Sequence, residues 1–316
     1  MGATNVLQVL AAPFNLLNFR IMNKRFEVPY NFSKRLIRFY AKNASFIRYV
    51  YVAPYKEDSL HTRSTIETSS RGHCYMPGTR AEYESHLRCL ADAKLSFVIL
   101  WQVPDKVLSP EVIKYYQELG ASGFIVGSDE NAHRVKMYDP NLVVICSLVQ
   151  RVCYDILQKD LSPYDYIILY YPYNRALDAL RELHSIKDKL ILMPNTFCHV
   201  ECPSMHHWFP APDKPFVQNR DCPAMRYISM TAFIPPEHLY MFDDWVGGYK
   251  LQGREYVTDL VEDICRIYFS RDDSRNLCHT MLGDDLSYKF RRMSFESDLS
   301  IYYNMKSYDL IRHLRP

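Results

Sequence analysis

Short apolar runs alternate with segments of helical period along most of this chain. The runs are VLQVLAAP (6–13), SFIRYVYVAP (45–54), SFVILW (96–101), GFIVGS (123–128), LVVICSL (142–148), DYIILYY (165–171), LILMP (190–194) and GGYKLQGRE (247–255). Between them lie NFSKRLIRFYAKN, AEYESHLRCLADAKL, SPEVIKYYQELGA, NAHRVKMYD, RVCYDILQKD, RALDALRELHSIKD and, after the last run, YVTDLVEDICRIYF. In the first of these, Phe32, Leu36, Ile37, Phe39 and Tyr40 share one helical face, and Tyr83, Leu87 and Leu90 do so in the second. Strands that alternate with helices pair in parallel, because each crossover returns the chain to the same edge of the sheet. Apolar runs this short and continuous suit burial on both faces.

Eight such units predict an α/β fold: a parallel eight-stranded (βα) barrel of the TIM type, regular or distorted. An open doubly wound sheet is the rival architecture, but no glycine-rich turn follows the first run. Residues 1–269 are read as the barrel domain. Residues 270–316, mixed polar and aromatic, are read as a helical or irregular C-terminal extension packed on it.

With 316 residues and 48% hydrophobic composition, the chain can bury a substantial core. Its 38 basic and 36 acidic side chains nearly cancel, so no whole-chain field favours a polyanion. That balance points to a small-molecule substrate rather than large RNA. The N-terminal apolar run is broken by Asn5, Gln8 and Asn15 and has no basic leader, so it reads as a strand rather than a signal peptide. No run reaches the roughly 18 apolar residues of a membrane-spanning helix, so no membrane insertion is expected. Nine cysteines, without the density of a disulfide scaffold, predict a reducing, cytoplasmic setting.

Candidate chemistry concentrates in NTFCHVECPSMHH, residues 195–207, directly after LILMP. In a (βα) barrel this is a strand-to-helix loop at the catalytic end. The segment TSSRGHCYMPG, with Arg71, His73 and Cys74, follows the second run, and KLQGRE supplies Lys250, Gln252 and Arg254 from the last. Cys198 and Cys202, with three residues between them, and Cys222 in NRDCPAMR offer soft thiolates for an iron–sulfur cluster or for zinc. A fourth ligand is open among Cys74, His199, His206 and substrate.

Zinc is the alternative, with His199, Glu201, Cys202, His206 and His207 as ligands or base. Pro203, however, prevents the helical alignment of a His-Glu-x-x-His site. Cys89, Cys146 and Cys265 fall on apolar helix faces or in a strand and read as core. Lys250 and Arg254 supply either a fixed positive field for a carboxylate or phosphate, or an ion-pair layer inside the barrel.

The segment LMPNTFCHVECPSMHHWF, followed by Cys222 and by IPPEHLYMFDDWVGGYKLQGREYVTDLVEDICRIYF, resembles the bacterial and archaeal collagenase-like peptidase family, family U thirty-two. It is most similar to the branch with an Asn-x-x-Cys-x-x-x-Cys-Pro motif. Lys250, Gly253 and Arg254 match the family's Lys-x-x-Gly-Arg pattern in its final strand.

The resemblance implies a parallel barrel, a four-iron four-sulfur cluster, and oxygen-independent hydroxylation of RNA bases or ubiquinone precursors with prephenate implicated as oxygen donor. A homologous partner subunit is a further expected partner. Cys198, Cys202 and Cys222 match cluster cysteines, whereas Arg226 stands where a further cysteine is expected. Three thiolates would leave one iron open to substrate, or to His206 as a further metal ligand. Asn195 and His199 would then orient a substrate oxygen, and Lys250 and Arg254 would hold a carboxylate.

The expected function is therefore an iron–sulfur enzyme performing oxygen-independent hydroxylation or a related redox modification of a small molecule or nucleic-acid base. A metal-dependent or thiol hydrolase or peptidase, with His73 or His199 as base, is the alternative. The third reading is a non-catalytic subunit of a heteromeric complex.

Overall fold

A computed structural model describes residues 26–55, 57–58, 77–103, 106–150, 156, 159–196, 232–254 and 256–272. Eight strands, every neighbouring pair parallel, close into a barrel in chain order: β1 (Phe26–Pro29), β2 (Ile47–Val52), β3 (Phe97–Trp101), β4 (Gly123–Val126), β5 (Val143–Cys146), β6 (Tyr166–Ile168), β7 (Leu190–Leu192) and β8 (Gly248–Lys250). Pairing of β8 with β1, Phe26 opposite Tyr249 and Glu27 opposite Lys250, completes the circle. The helices are α1 (Lys34–Lys42), α2 (Arg80–Asp92), α3 (Pro110–Glu118), α4 (Asp129–Tyr138), α5 (Leu177–Glu182) and α6 (Thr258–Ser270).

Successive strand residues point to opposite faces, and the two faces form separate cores. Tyr51, Val98, Leu100, Ile125, Ile145, Ile168, Ile191 and Met193 pack together inside the barrel. Their neighbours in sequence, among them Phe97, Ile99, Phe124, Val144, Ile167 and Leu192, face outward with the buried sides of the helices. Burial on both faces is why these strands read as unbroken apolar runs. Gly123 is required by closeness: a Cβ there would sit 1.9 Å from the carbonyl oxygen of Val143 on the next strand.

Helix starts follow the side-chain chemistry of their caps. The hydroxyls of Thr79, Ser109 and Ser128 accept hydrogen bonds from the main-chain N–H groups of Glu82, Val112 and Asn131, and Pro110 opens α3.

Two expectations change. The first strand is Phe26–Pro29, not 6–13, which lies outside the described residues. FEVP is short and carries both a carboxylate and a proline, so it has no apolar-run signature, yet all four residues are buried. The segment 175–188 forms no continuous helix: α5 covers six residues, and a 3-10 turn runs over His184–Lys189. The predicted helix at 151–160 falls largely outside the described residues, as do 273–316 of the proposed extension. Among the described residues no helix is long and apolar enough to cross a membrane.

Candidate functional site

The carboxyl ends of β7 and β8 are clasped by one side-chain amide. Asn195 donates from Nδ2 to the carbonyl oxygen of Gln252 at 3.0 Å, and its Oδ1 accepts from the Gln252 main-chain N–H at 2.8 Å. Gln252 returns a bond from Nε2 to the Thr196 hydroxyl at 2.6 Å. Asn195 and Thr196 are each 1% exposed and Gln252 is half-buried, so these bonds are partly shielded from water. Asn174 braces the same end from the segment after β6, donating to the carbonyl oxygens of Met193 and Ala232 at 2.8 and 2.6 Å. The exits of β3 and β5 are joined by Gln102, whose Nε2 donates to Ser147 Oγ at 2.7 Å.

Lys250 ends β8 and is buried, its ammonium 4.5 Å from the ring centroid of Tyr51, a cation–π distance. The Tyr51 hydroxyl donates to the carbonyl oxygen of Leu251 at 2.6 Å. Arg254 is buried as well, four residues on. Gly253, between them, has φ of +139°, which a side chain strongly disfavours, and an added Cβ would meet the Tyr256 ring at 2.9 Å. The Lys-x-x-Gly-Arg spacing thus has a local reason: the glycine lets the backbone turn after β8.

Beside Lys250 lies a carboxylate that the sequence reading did not single out. Glu27, on β1, is fully buried and opposite both Tyr49 and Lys250 in the strand register. The register slips between Phe26 and Glu27, and Arg48 is the extra residue of β2. Such a bulge re-aims a side chain. The guanidinium lies 4.4 Å from the Tyr166 ring centroid, donates to the carbonyl oxygen of Gly247, and places Nη1 4.0 Å from Glu27 Oε1. Loss of water dominates the electrostatics of Glu27. Burial pushes its pKa up to about 7, although Arg48 and Lys250 pull it down. Lys250 therefore shares the barrel interior with a carboxylate while standing at the carboxyl ends of the strands.

Of the residues singled out in the sequence, Asn195, Lys250, Gln252 and Arg254 come to the carboxyl ends of β7 and β8. Cys198, His199, Cys202, His206 and Cys222 lie outside the described residues, as do Arg71, His73, Cys74, Glu201, His207 and Arg226. Among the described residues no group of three or more His, Cys, Asp or Glu side chains could hold a metal ion. Cys146 and Cys265 are buried, and burial pushes the Cys146 thiol up to about 12 and that of Cys265 higher still. Both are packing thiols, as their apolar positions predict, and Cys89 is half-buried against the outer core.

Glu27, Arg48 and Asn174 were missed. A lone acid within the apolar FEVP was the available signal for Glu27, whereas nothing local marks Asn174, which acts across the fold. No protein-family model matches the chain, and no curated protein matches it in sequence.

Proposed function

We propose that the chain is an iron–sulfur-dependent barrel enzyme performing oxygen-independent hydroxylation, or a related redox modification, of a small molecule or nucleic-acid base. The observation that carries this reading is the clasp of Asn195 and Thr196 onto Gln252. It fixes, at the catalytic end of a closed parallel barrel, the point from which the segment bearing Cys198 and Cys202 leaves.

The surroundings fit thiolate ligation. Lys250 and Arg254 are buried cations from the adjacent strand end, and positive charge favours thiolate over thiol. Cys198, Cys202 and Cys222 would hold the cluster, and the fourth iron would be open to substrate or taken by His206. When bound, it supplies one-electron chemistry and, with three thiolates, an open iron position.

The chain's own residues do the rest. Lys250 and Arg254 hold a substrate carboxylate through charge-assisted hydrogen bonds, and Arg254 offers a planar fork suited to it. Asn195 holds the two loops in register, with both ends of its amide engaged by Gln252. His199 orients the substrate oxygen. The resemblance to collagenase-like peptidases supports the same reading.

The test is cluster assembly in a Cys198→Ser/Cys202→Ser double variant under reconstitution without oxygen. Loss of iron and sulfide uptake with retained folding is expected, whereas full uptake would overturn the assignment. Stoichiometric zinc with hydrolysis of model peptides or esters would favour the hydrolase reading instead.

A further inference from the structure

The barrel interior is divided by chemistry. From β3 to β7 it is lined by Val98, Leu100, Ile125, Ile145, Ile168, Ile191 and Met193. The sector made by β8, β1 and β2 instead encloses Lys250, Glu27, Arg48, Tyr49 and Tyr51, with Tyr166 of β6 against Arg48. Within it Glu27 is 0% exposed, and among the described residues neither carboxylate oxygen has a hydrogen-bond donor. Arg48 Nη1, 4.0 Å from Glu27 Oε1, is too far for a hydrogen bond. Glu27 is thus an ionisable group with no hydrogen bond to hold it in the charged form, beside two cations.

An anion held by Lys250 would add a second negative charge to this enclosed space. Two like charges sharing a poorly screened site cannot both persist cheaply, and the group with the higher proton affinity gives way. The anion of a strong acid keeps its charge, so Glu27 is the group that changes. Burial raises the Tyr49 phenol further from the physiological range, so it cannot take that part.

We propose that an anionic ligand held by Lys250 enters this site together with one proton, which Glu27 accepts from solvent and returns when the ligand leaves. The inference rests on the reading of Lys250 as a carboxylate-holding cation. It adds that the site takes the ligand in neutralised form, anion plus proton, and that Glu27 is a positioning residue acting through Lys250.

The experiment is calorimetric titration of the full chain with benzoate and with sulfate, both of which stay charged from about pH 6 to about pH 8. Each is run in two buffers of different ionisation enthalpy. Wild type is expected to take up one proton per anion bound in the upper part of that range, and to bind about tenfold more weakly at about pH 8 than at about pH 6. Glu27→Gln is expected to bind equally at both pH values, near the wild-type affinity at low pH, with no proton uptake. Lys250→Met is expected to lose binding.

Binding by wild type that is independent of pH and buffer would overturn the inference while leaving the anion site standing. Failure of either anion to bind wild type at any pH would remove both the inference and the carboxylate-holding role. Should Glu27→Gln not fold, proton uptake by the wild type and its loss in Lys250→Met decide the matter.

Discussion

At the residue scale, Glu27 shows how a side chain can be poorly accommodated yet retained inside a fold. Its carboxyl is held near a pKa of 7, above its ordinary value in an unfolded chain, because burial outweighs the pull of two cations. The sign follows from linkage. Its contribution to stability is fully present below about pH 4.5, where both states are protonated, and is lost as pH rises from there through about 7, the window in which only the folded state keeps the proton.

Glu27→Gln keeps the shape without the charge. The variant is expected to match wild type in thermal melts near about pH 5 and to exceed it increasingly by about pH 8, by an amount on the order of 3 kcal/mol. A melting difference that does not change with pH would contradict this account. Glu27 was not legible as a core charge, because its strand was sought in VLQVLAAP, where the apolar signal is longer. Lys250 and Arg254, by contrast, stand out as charges within a strand-like run that opens onto a helix.

At the scale of elements, the β7 and β8 exits behave as one unit because Asn195 pairs with both the N–H and the carbonyl of Gln252. Asn195→Ala takes the partner from two half-buried main-chain groups of Gln252 and should cost about 2 kcal/mol in urea denaturation. Gln252→Ala removes only the bond to the Thr196 hydroxyl, since the main-chain bonds to Asn195 remain, and should cost about half as much. Equal losses would mean that the clasp does not depend on the Asn195 amide.

The element pattern was largely readable from β2 to β8, because strands buried on both faces are apolar throughout and the helices show one apolar stripe. It failed where tertiary position overrides local signal. FEVP is a strand because its neighbours on both sides, Ile47–Val52 and Gly248–Lys250, supply its ladder, and α5 shortens into a 3-10 turn over His184–Lys189 despite a helical pattern.

For the molecule as a whole, barrel closure turns distant segments into one site. Asn195 and Gln252, 57 residues apart, are hydrogen-bonded, and Glu27 and Lys250 are register neighbours across the first and last strands. Alternation of strand and helix made that architecture predictable, and with it the end of the barrel at which chemistry belongs. Spacing alone could not reveal the internal charge cluster, which depends on closure of β8 against β1 and on the bulge that turns Arg48 inward.

An iron–sulfur site at the carboxyl end of this barrel would declare itself in the iron, acid-labile sulfide and zinc content of the native protein purified without oxygen, together with its visible spectrum. Iron and sulfide in comparable amounts, with visible absorption that fades on exposure to air, are the predicted result. A colourless protein that contains neither and takes up no cluster on reconstitution would contradict the account.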